Sequence, residues 1–166
     1  MRKERNGNEV HSGERRFMRF IGVDPGKSGA LSIIREDGKV EIYTFDREVY
    51  RNVLSDYAKV GNMYTAKCCV EHVGAAPGNG VVGMFAFGEN FGFIQGLLTA
   101  FEIPYELVRP AKWKKEFSVT KDKNTSIEVC HRLFPNANLK RTERCKKDDD
   151  GYAESLLLAE YARRHM

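Results

Sequence analysis

Apolar and polar positions alternate from Arg19 to Asp24 and break at Pro25-Gly26, the pattern of a short half-buried strand ended by a turn. Gly29 to Ile34 reads as a second strand, Asp37-Gly38 as a hairpin turn, and Val40 to Phe45 as a third strand. Three short strands joined by tight turns make an antiparallel meander. From Arg47 to Lys59 the period changes, with Val49, Val53, Leu54 and Tyr57 at helical spacing. Ala66 to Val73 reads as a buried strand, and a Gly/Pro loop follows from Gly74 to Gly80. Met84 to Phe101 reads as a helix in which Gly88, Gly92 and Gly96 recur every fourth residue among Phe85, Phe87, Phe91 and Phe93. Glycine costs a helix up to about 1 kcal/mol per position, so the stripe implies close approach of another backbone: within the fold, in a dimer, or from DNA. Pro104 to Val108 supplies a fifth strand, and Pro110 opens a helical turn around Trp113. Asn124 or Thr125 caps a helix carrying Ile127, Val129, Cys130, Leu133 and Phe134, which stops before Pro135. A basic loop over 135–147 leads to a last helix from about Asp149 to Arg164. The predicted order is βββ-α-β-α-β-α-α, an α/β chain.

At 166 residues this is one domain with room for an ordinary core. Residues 1–18 are polar and mixed in charge and read as a flexible arm, leaving 19–166 as the folded domain. The net charge of +4 says little, but its distribution says more. From Arg109 to Lys147 twelve Lys/Arg stand against four Asp/Glu, and an acidic cluster begins at once afterwards. A basic track beside an acidic pocket suits a phosphate backbone held by the first and cut at the second. Cys68, Cys69, Cys130 and Cys145 lack metal-ligand spacing and read as free thiols of a reducing compartment. No apolar run approaches the roughly 18 residues of a membrane span, and no signal-peptide core is present. The expected setting is therefore cytoplasmic (the host's cytoplasm if the chain is viral), without a membrane partner.

Carboxylates arrive from three separate elements. Asp24 ends the first strand and Glu71 ends the fourth; Asp150 and Glu154 share one face of the last helix. The bland readings are an Asp-Pro turn for Asp24, an exposed strand end for Glu71, and, for the last helix, an acidic capping turn that accounts for Asp148 or Asp149. Glu154 fits none of these, and together the four point to bound divalent cations. Two Mg²⁺ ions roughly 4 Å apart would ionise an attacking water and neutralise a leaving 3′ oxygen, with Mn²⁺ able to substitute. Lys112, Lys114, Lys115, Lys121 and Lys123, with Trp113 among them, read as a DNA-contacting track that Lys146 and Lys147 extend. His72 neighbours Glu71 but faces away from it in a regular strand.

Ile21-Gly22-Val23-Asp24-Pro25-Gly26, Val70-Glu71, Arg109-Pro110-Ala111-Lys112-Trp113-Lys114 and Asp149-Asp150-Gly151-Tyr152-Ala153-Glu154-Ser155-Leu156-Leu157-Leu158-Ala159 form an ordered series. It resembles the RuvC-type Holliday junction resolvases, most of all phage-borne members and the plant chloroplast resolvase. Lys121-Asp122-Lys123 and His131-Arg132-Leu133-Phe134-Pro135 match those two groups as well. The resemblance spans roughly residues 19–162. It implies an RNase H-like fold: a mixed five-stranded sheet, the three-stranded meander plus two further strands, flanked by helices. It also implies a homodimer that resolves four-way DNA junctions by symmetric paired nicks, through Mg²⁺-dependent phosphodiester hydrolysis. By motif position Asp24, Glu71, Asp150 and Glu154 would be the catalytic, metal-holding carboxylates. The final pair is spaced by four, against three in bacterial members, which leaves Asp149 as the alternate to Asp150. The rival readings are another RNase H-like nuclease acting on branched DNA or RNA–DNA hybrid, and a non-catalytic binder of branched DNA.

Overall fold

In the computed structural model, which describes residues 17–58, 64–74 and 80–166, the alternating segments become five strands. These are β1 (Phe17–Val23), β2 (Ala30–Arg35), β3 (Val40–Thr44), β4 (Tyr64–Glu71) and β5 (Tyr105–Val108). They form one mixed sheet in the order β3-β2-β1-β4-β5. The meander β1-β2-β3 is antiparallel, and β4 and β5 join it in parallel. Parallel neighbours need crossovers, and helices supply them. The helices are α1 (Arg47–Ser55), α2 (Val81–Ala100), α3 (Pro110–Glu116), α4 (Lys123–Leu133) and α5 (Asp150–His165).

The period of two divides the core. Ile21, Val23, Leu31, Ile33, Cys68 and Val70 pack on one face of the sheet with Tyr50 and Leu54 of α1 and Ile94 and Leu98 of α2. Ala30, Ile34 and Cys69 pack on the other face with Trp113 of α3, Val129 and Cys130 of α4, and much of α5. Cys68 and Cys69 thus face opposite ways, as a regular strand requires. Helix α5 is buried from Gly151 to Ala162 apart from the half-buried Glu154. It lies so close to β1 that a Cβ at Gly22 would fall on the Ser155 carbonyl oxygen and the Ala159 nitrogen. Beside that contact the Ser32 and Ser155 hydroxyls share a buried 2.7 Å hydrogen bond.

Several local expectations shift. β1 begins at Phe17, so Phe17 and Met18 belong to the sheet, paired with Tyr64 and Thr65, and not to an arm; residues 1–16 lie outside the described residues, as do 75–79 of the Gly/Pro loop. Asp46 caps α1 by accepting from the Val49 nitrogen, and the helix buries Tyr50 with Leu54 while Val49 stays exposed. Asp122, not Asn124 or Thr125, caps α4, its side chain accepting from the Asn124 nitrogen. The glycine stripe is not packed within the fold: a Cβ at Gly88, Gly92 or Gly96 would meet nothing within 4 Å. Val81, Val82 and Phe85 in the first turns of α2 are likewise exposed.

By length and composition alone, α2 is long and apolar enough to cross a membrane, with a mean hydropathy of 1.3, contrary to the expectation of no such run. Polar Glu89, Asn90 and Gln95 hide its apolar average from the eye. Its second half is tied to the core through Ile94 and Leu98, which a spanning arrangement would have to withdraw.

Candidate active site

Strand register assembles the first half of the site. β1 and β4 are parallel neighbours with Val23 opposite Val70, so the next residues, Asp24 and Glu71, leave the middle of the sheet side by side. The Asp24 nitrogen donates to the Ala30 carbonyl at 3.0 Å, and its Oδ1 accepts from the Gly26 nitrogen at 2.9 Å. The Asp-Pro turn is therefore real, and it serves to hold a carboxylate. Glu71 is only 5 % exposed, and its Oε1 accepts from Nε1 of Trp113 at 3.0 Å. Helix α5 packs on the sheet face that Glu71 shares with Cys69 and brings Asp150 on its first turn and Glu154 one turn later.

The four carboxylates act on one another. Burial, with the charges of Glu154 and Asp150, pushes the Asp24 carboxyl up to about 6 against the pull of the Gly26 hydrogen bond. Burial again, then Asp24 and Glu154, raises Glu71 to about 7, while Trp113 and Lys114 pull the other way. Burial first and like charge second disfavour the ionised acids, and nearby positive charge offsets both.

Two lysines supply part of it. Lys114 Nζ lies 2.8 Å from Glu154 Oε1, and Lys123 Nζ lies 2.6 Å from Asp150 Oδ2. Both border a cleft of about 280 Å³, together with Asp24, Gly26, Lys121, Asp150 and Glu154. Among the described residues no three acidic, His or Cys side chains form a ready-made metal cage. Two carboxylates remain without a matching cation, both of them the perturbed ones, and all donors are hard oxygens. This donor set fits a hard divalent cation.

Neighbouring acids have other work. Asp149 caps α5, Oδ1 accepting from the Tyr152 nitrogen at 3.0 Å, and Arg141 grips both its oxygens. Both its carboxylate oxygens are thus engaged, and of the two adjacent acids Asp150 is the one that lines the cleft. Asp148 pairs with His131 Nε2 at 2.6 Å. A Cβ at Gly151 would strike the Ser28 carbonyl oxygen, so glycine lets the start of α5 settle on the β1–β2 turn, where Arg141 also hydrogen-bonds Ser28.

The basic track divides. Trp113 is fully buried, so it is not a DNA-stacking surface; its ring fills the core under the site. Lys114 and Lys123 turn to the carboxylates, and Lys121 lines the cleft. Lys112, Lys115, Lys146 and Lys147 are exposed. His72 lies away from the acids and stacks on Phe91, ring centroids 6.0 Å apart. Sequence reasoning missed Arg141, which counted only as one charge of a basic loop, and took the indole of Trp113 for a surface group. The one available signal was a lone tryptophan beside a helix-opening proline, where an apolar anchor is expected.

No family model and no curated protein sequence matches the chain. Solved structures do. Thermus thermophilus RuvC in complex with Holliday junction substrate superposes with a TM-score of 0.58 at 12 % identity, covering 89 % of this chain and 96 % of that one. A further Thermus thermophilus RuvC structure gives 0.56 at 17 % identity over the same shares, 89 % and 96 %. The yeast mitochondrial Holliday junction resolvase Ydc2 gives 0.51 at 14 % identity, covering 90 % of this chain and 78 % of that one. The five-stranded mixed sheet and its flanking helices are therefore the RNase H-like fold of the RuvC resolvases.

Proposed function

We propose that this protein is a structure-selective DNA endonuclease that resolves four-way junctions by symmetric paired nicks. The observation that carries the proposal is that Asp24, Asp150 and Glu154, far apart in sequence, line one cleft rimmed by lysines, with the buried Glu71 beside Asp24 on the neighbouring strand and within reach of its charge and that of Glu154. A fold has no packing reason to collect four acids there, two of them with raised affinity for protons. The RuvC-like fold and the ordered motifs support a junction as substrate, and Arg109-Pro110-Ala111-Lys112-Trp113-Lys114 supports kinship with phage-borne and chloroplast members.

Asp24, Glu71, Asp150 and Glu154 would hold two Mg²⁺ ions, or Mn²⁺ in their place, which supply Lewis-acid charge and a more acidic bound water. The chain's own part is positional. The turn at Asp24 and the indole at Glu71 hold two carboxylates in place before any substrate arrives. Lys114 and Lys123 keep positive charge at the cleft where a phosphodiester would lie, and Lys112, Lys115, Lys121, Lys146 and Lys147 offer exposed ammonium groups to the DNA backbone.

Two symmetric nicks need two such sites, which a two-fold dimer provides. The exposed first turns of α2 and the open Gly88/Gly92/Gly96 stripe offer an apolar, close-packing surface for it. The buried unpaired thiols Cys68, Cys69 and Cys130 favour work in a reducing compartment such as the cytoplasm. The test is incubation of the purified protein with labelled four-way junction, duplex, flap and RNA–DNA hybrid, with and without Mg²⁺. Paired nicks confined to the junction and dependent on the ion are expected. Preferential cutting of hybrid or flap would replace the junction with that substrate, and binding without cutting would leave a branched-DNA binder.

A further inference from the structure

Trp113 is the single tryptophan of the chain and has no exposed surface. An indole brings one N–H donor and no acceptor. That donor goes to Oε1 of Glu71 at 3.0 Å, a carboxylate itself nearly closed to solvent. The face of the same ring lies 5.1 Å from Lys114 Nζ, and Lys114 in turn reaches Glu154. One side chain thus touches two members of the site, and reaches a third through Lys114.

The ring is carried on a helix that is fixed at both ends. Pro110 starts α3 directly beyond β5, the strand paired with β4 that carries Glu71. At its other end Glu116 is held by His165 Nε2 at 2.6 Å and Arg164 Nη1 at 3.4 Å, both from the last turn of α5. The helix that supplies the indole is therefore pinned to the strand holding Glu71 and to the helix holding Asp150 and Glu154. A glutamate has three side-chain torsions, and a ligand left free in them pays their entropy on each binding event. A fixed donor on one oxygen removes that freedom.

We propose that Trp113 is a positioning residue: its indole N–H takes up Oε1 of Glu71 and presents Oε2 as the oxygen offered to a divalent cation. This rests on the reading of Glu71 as a metal-holding residue. Trp113 itself touches neither a metal ion nor DNA, and its part in metal binding runs through the Glu71 carboxylate. Outer partners of this kind commonly govern ten- to a hundredfold in metal affinity.

The experiment replaces Trp113 with benzothienylalanine, which keeps the bicyclic shape and puts sulfur where the N–H was, alongside Trp113→Phe. Mn²⁺ binding without DNA is followed by calorimetry, and folding by thermal melting. The isosteric protein should melt like wild type yet bind Mn²⁺ about tenfold or more weakly. Equal Mn²⁺ affinity in the two proteins overturns the proposal, whatever the phenylalanine variant does. If wild type itself binds no Mn²⁺, the metal reading fails, and the indole contact is judged on its own by NMR. The single indole N–H resonance should exchange slowly and move in Glu71→Gln; a fast-exchanging, unmoved resonance would remove the contact too.

Discussion

Arg141 holds Asp149 by two hydrogen bonds, Nε to Oδ2 at 2.6 Å and Nη2 to Oδ1 at 2.8 Å, and so leaves Asp150 alone to face the cleft. The two acids are adjacent, but one step along a helix turns a side chain by about 100°. Asp150→Asn is expected to lose nearly all cleavage with little change in melting. Asp149→Asn should lower the melting temperature by an amount equivalent to about 1 kcal/mol, through its weakened cap and ion pair, while keeping a working site. A dead Asp149→Asn beside an active Asp150→Asn would reverse the assignment.

The raised proton affinities of Asp24 and Glu71 predict how stability depends on pH in EDTA. Each carboxyl binds its proton more tightly in the folded chain, at about 6 and about 7, than at its ordinary value. Below about pH 4 both are protonated in either state and nothing is lost. As pH rises from about 4 to about 7 the unfolded chain releases these protons freely while the folded chain holds them and gives them up only at a cost, so stability falls across that window and stays low above it. Asp24→Asn, whose amide oxygen can still accept from Gly26, should therefore stabilise the protein at pH 8 by on the order of 2 kcal/mol. At pH 4 it should have no such effect. Urea melts at the two pH values check this, and equal shifts at both would refute it.

Removal of one carboxylate should also be felt by its neighbour. The Asp24 charge is one of the forces holding the Glu71 carboxyl near 7. In Asp24→Asn that carboxyl should titrate lower, which NMR of labelled glutamate can follow. An unmoved titration would mean the two acids are further apart in solution than the β1–β4 register places them.

Lys112, Lys115, Lys121, Lys146 and Lys147 are exposed and free of the carboxylates that engage Lys114 and Lys123. Changing these five to Gln should weaken binding to all DNA shapes alike. Each lost phosphate contact should lower the slope of log Kobs against log[salt] by about 1. An unaltered slope would move the DNA surface elsewhere.

Helix α2 permits a clean separation of folding from assembly. A side chain at Gly92 meets nothing within 4 Å in one chain. Gly92→Leu should then leave the melting of an isolated subunit unchanged or slightly improved, since leucine is the better helix former. If the stripe is the dimer contact, sedimentation should show the variant shifted to 18.9 kDa monomers, with single nicks replacing paired ones. A variant that still sediments as a dimer would exclude the stripe from the interface.

Features that live in one dimension were legible in the sequence. Alternation from Arg19 and the turn at Asp37-Gly38 announced the meander, and the periodicity around Val129 and Leu156 announced two helices of the far layer. Asp24, Glu71, Asp150 and Glu154 stood out because acids at strand ends and on an apolar helix are costly wherever the chain goes. What the sequence could not hold is the identity of partners a hundred residues away. Trp113 reads as a surface aromatic among lysines until β5 and α5 close over it. Lys114 and Lys123 read as DNA contacts until α5 brings Glu154 and Asp150 to them. The glycine stripe in α2 implied close approach of another backbone, in the fold, in a dimer or from DNA, yet within the chain the close backbone contacts fall at Gly22, Gly29 and Gly151, which share no period. Periodicity records only which side of an element is buried. Steric approach, helix phase at a cap and charge pairing depend on where two elements meet, and that is decided by the packing of the whole chain.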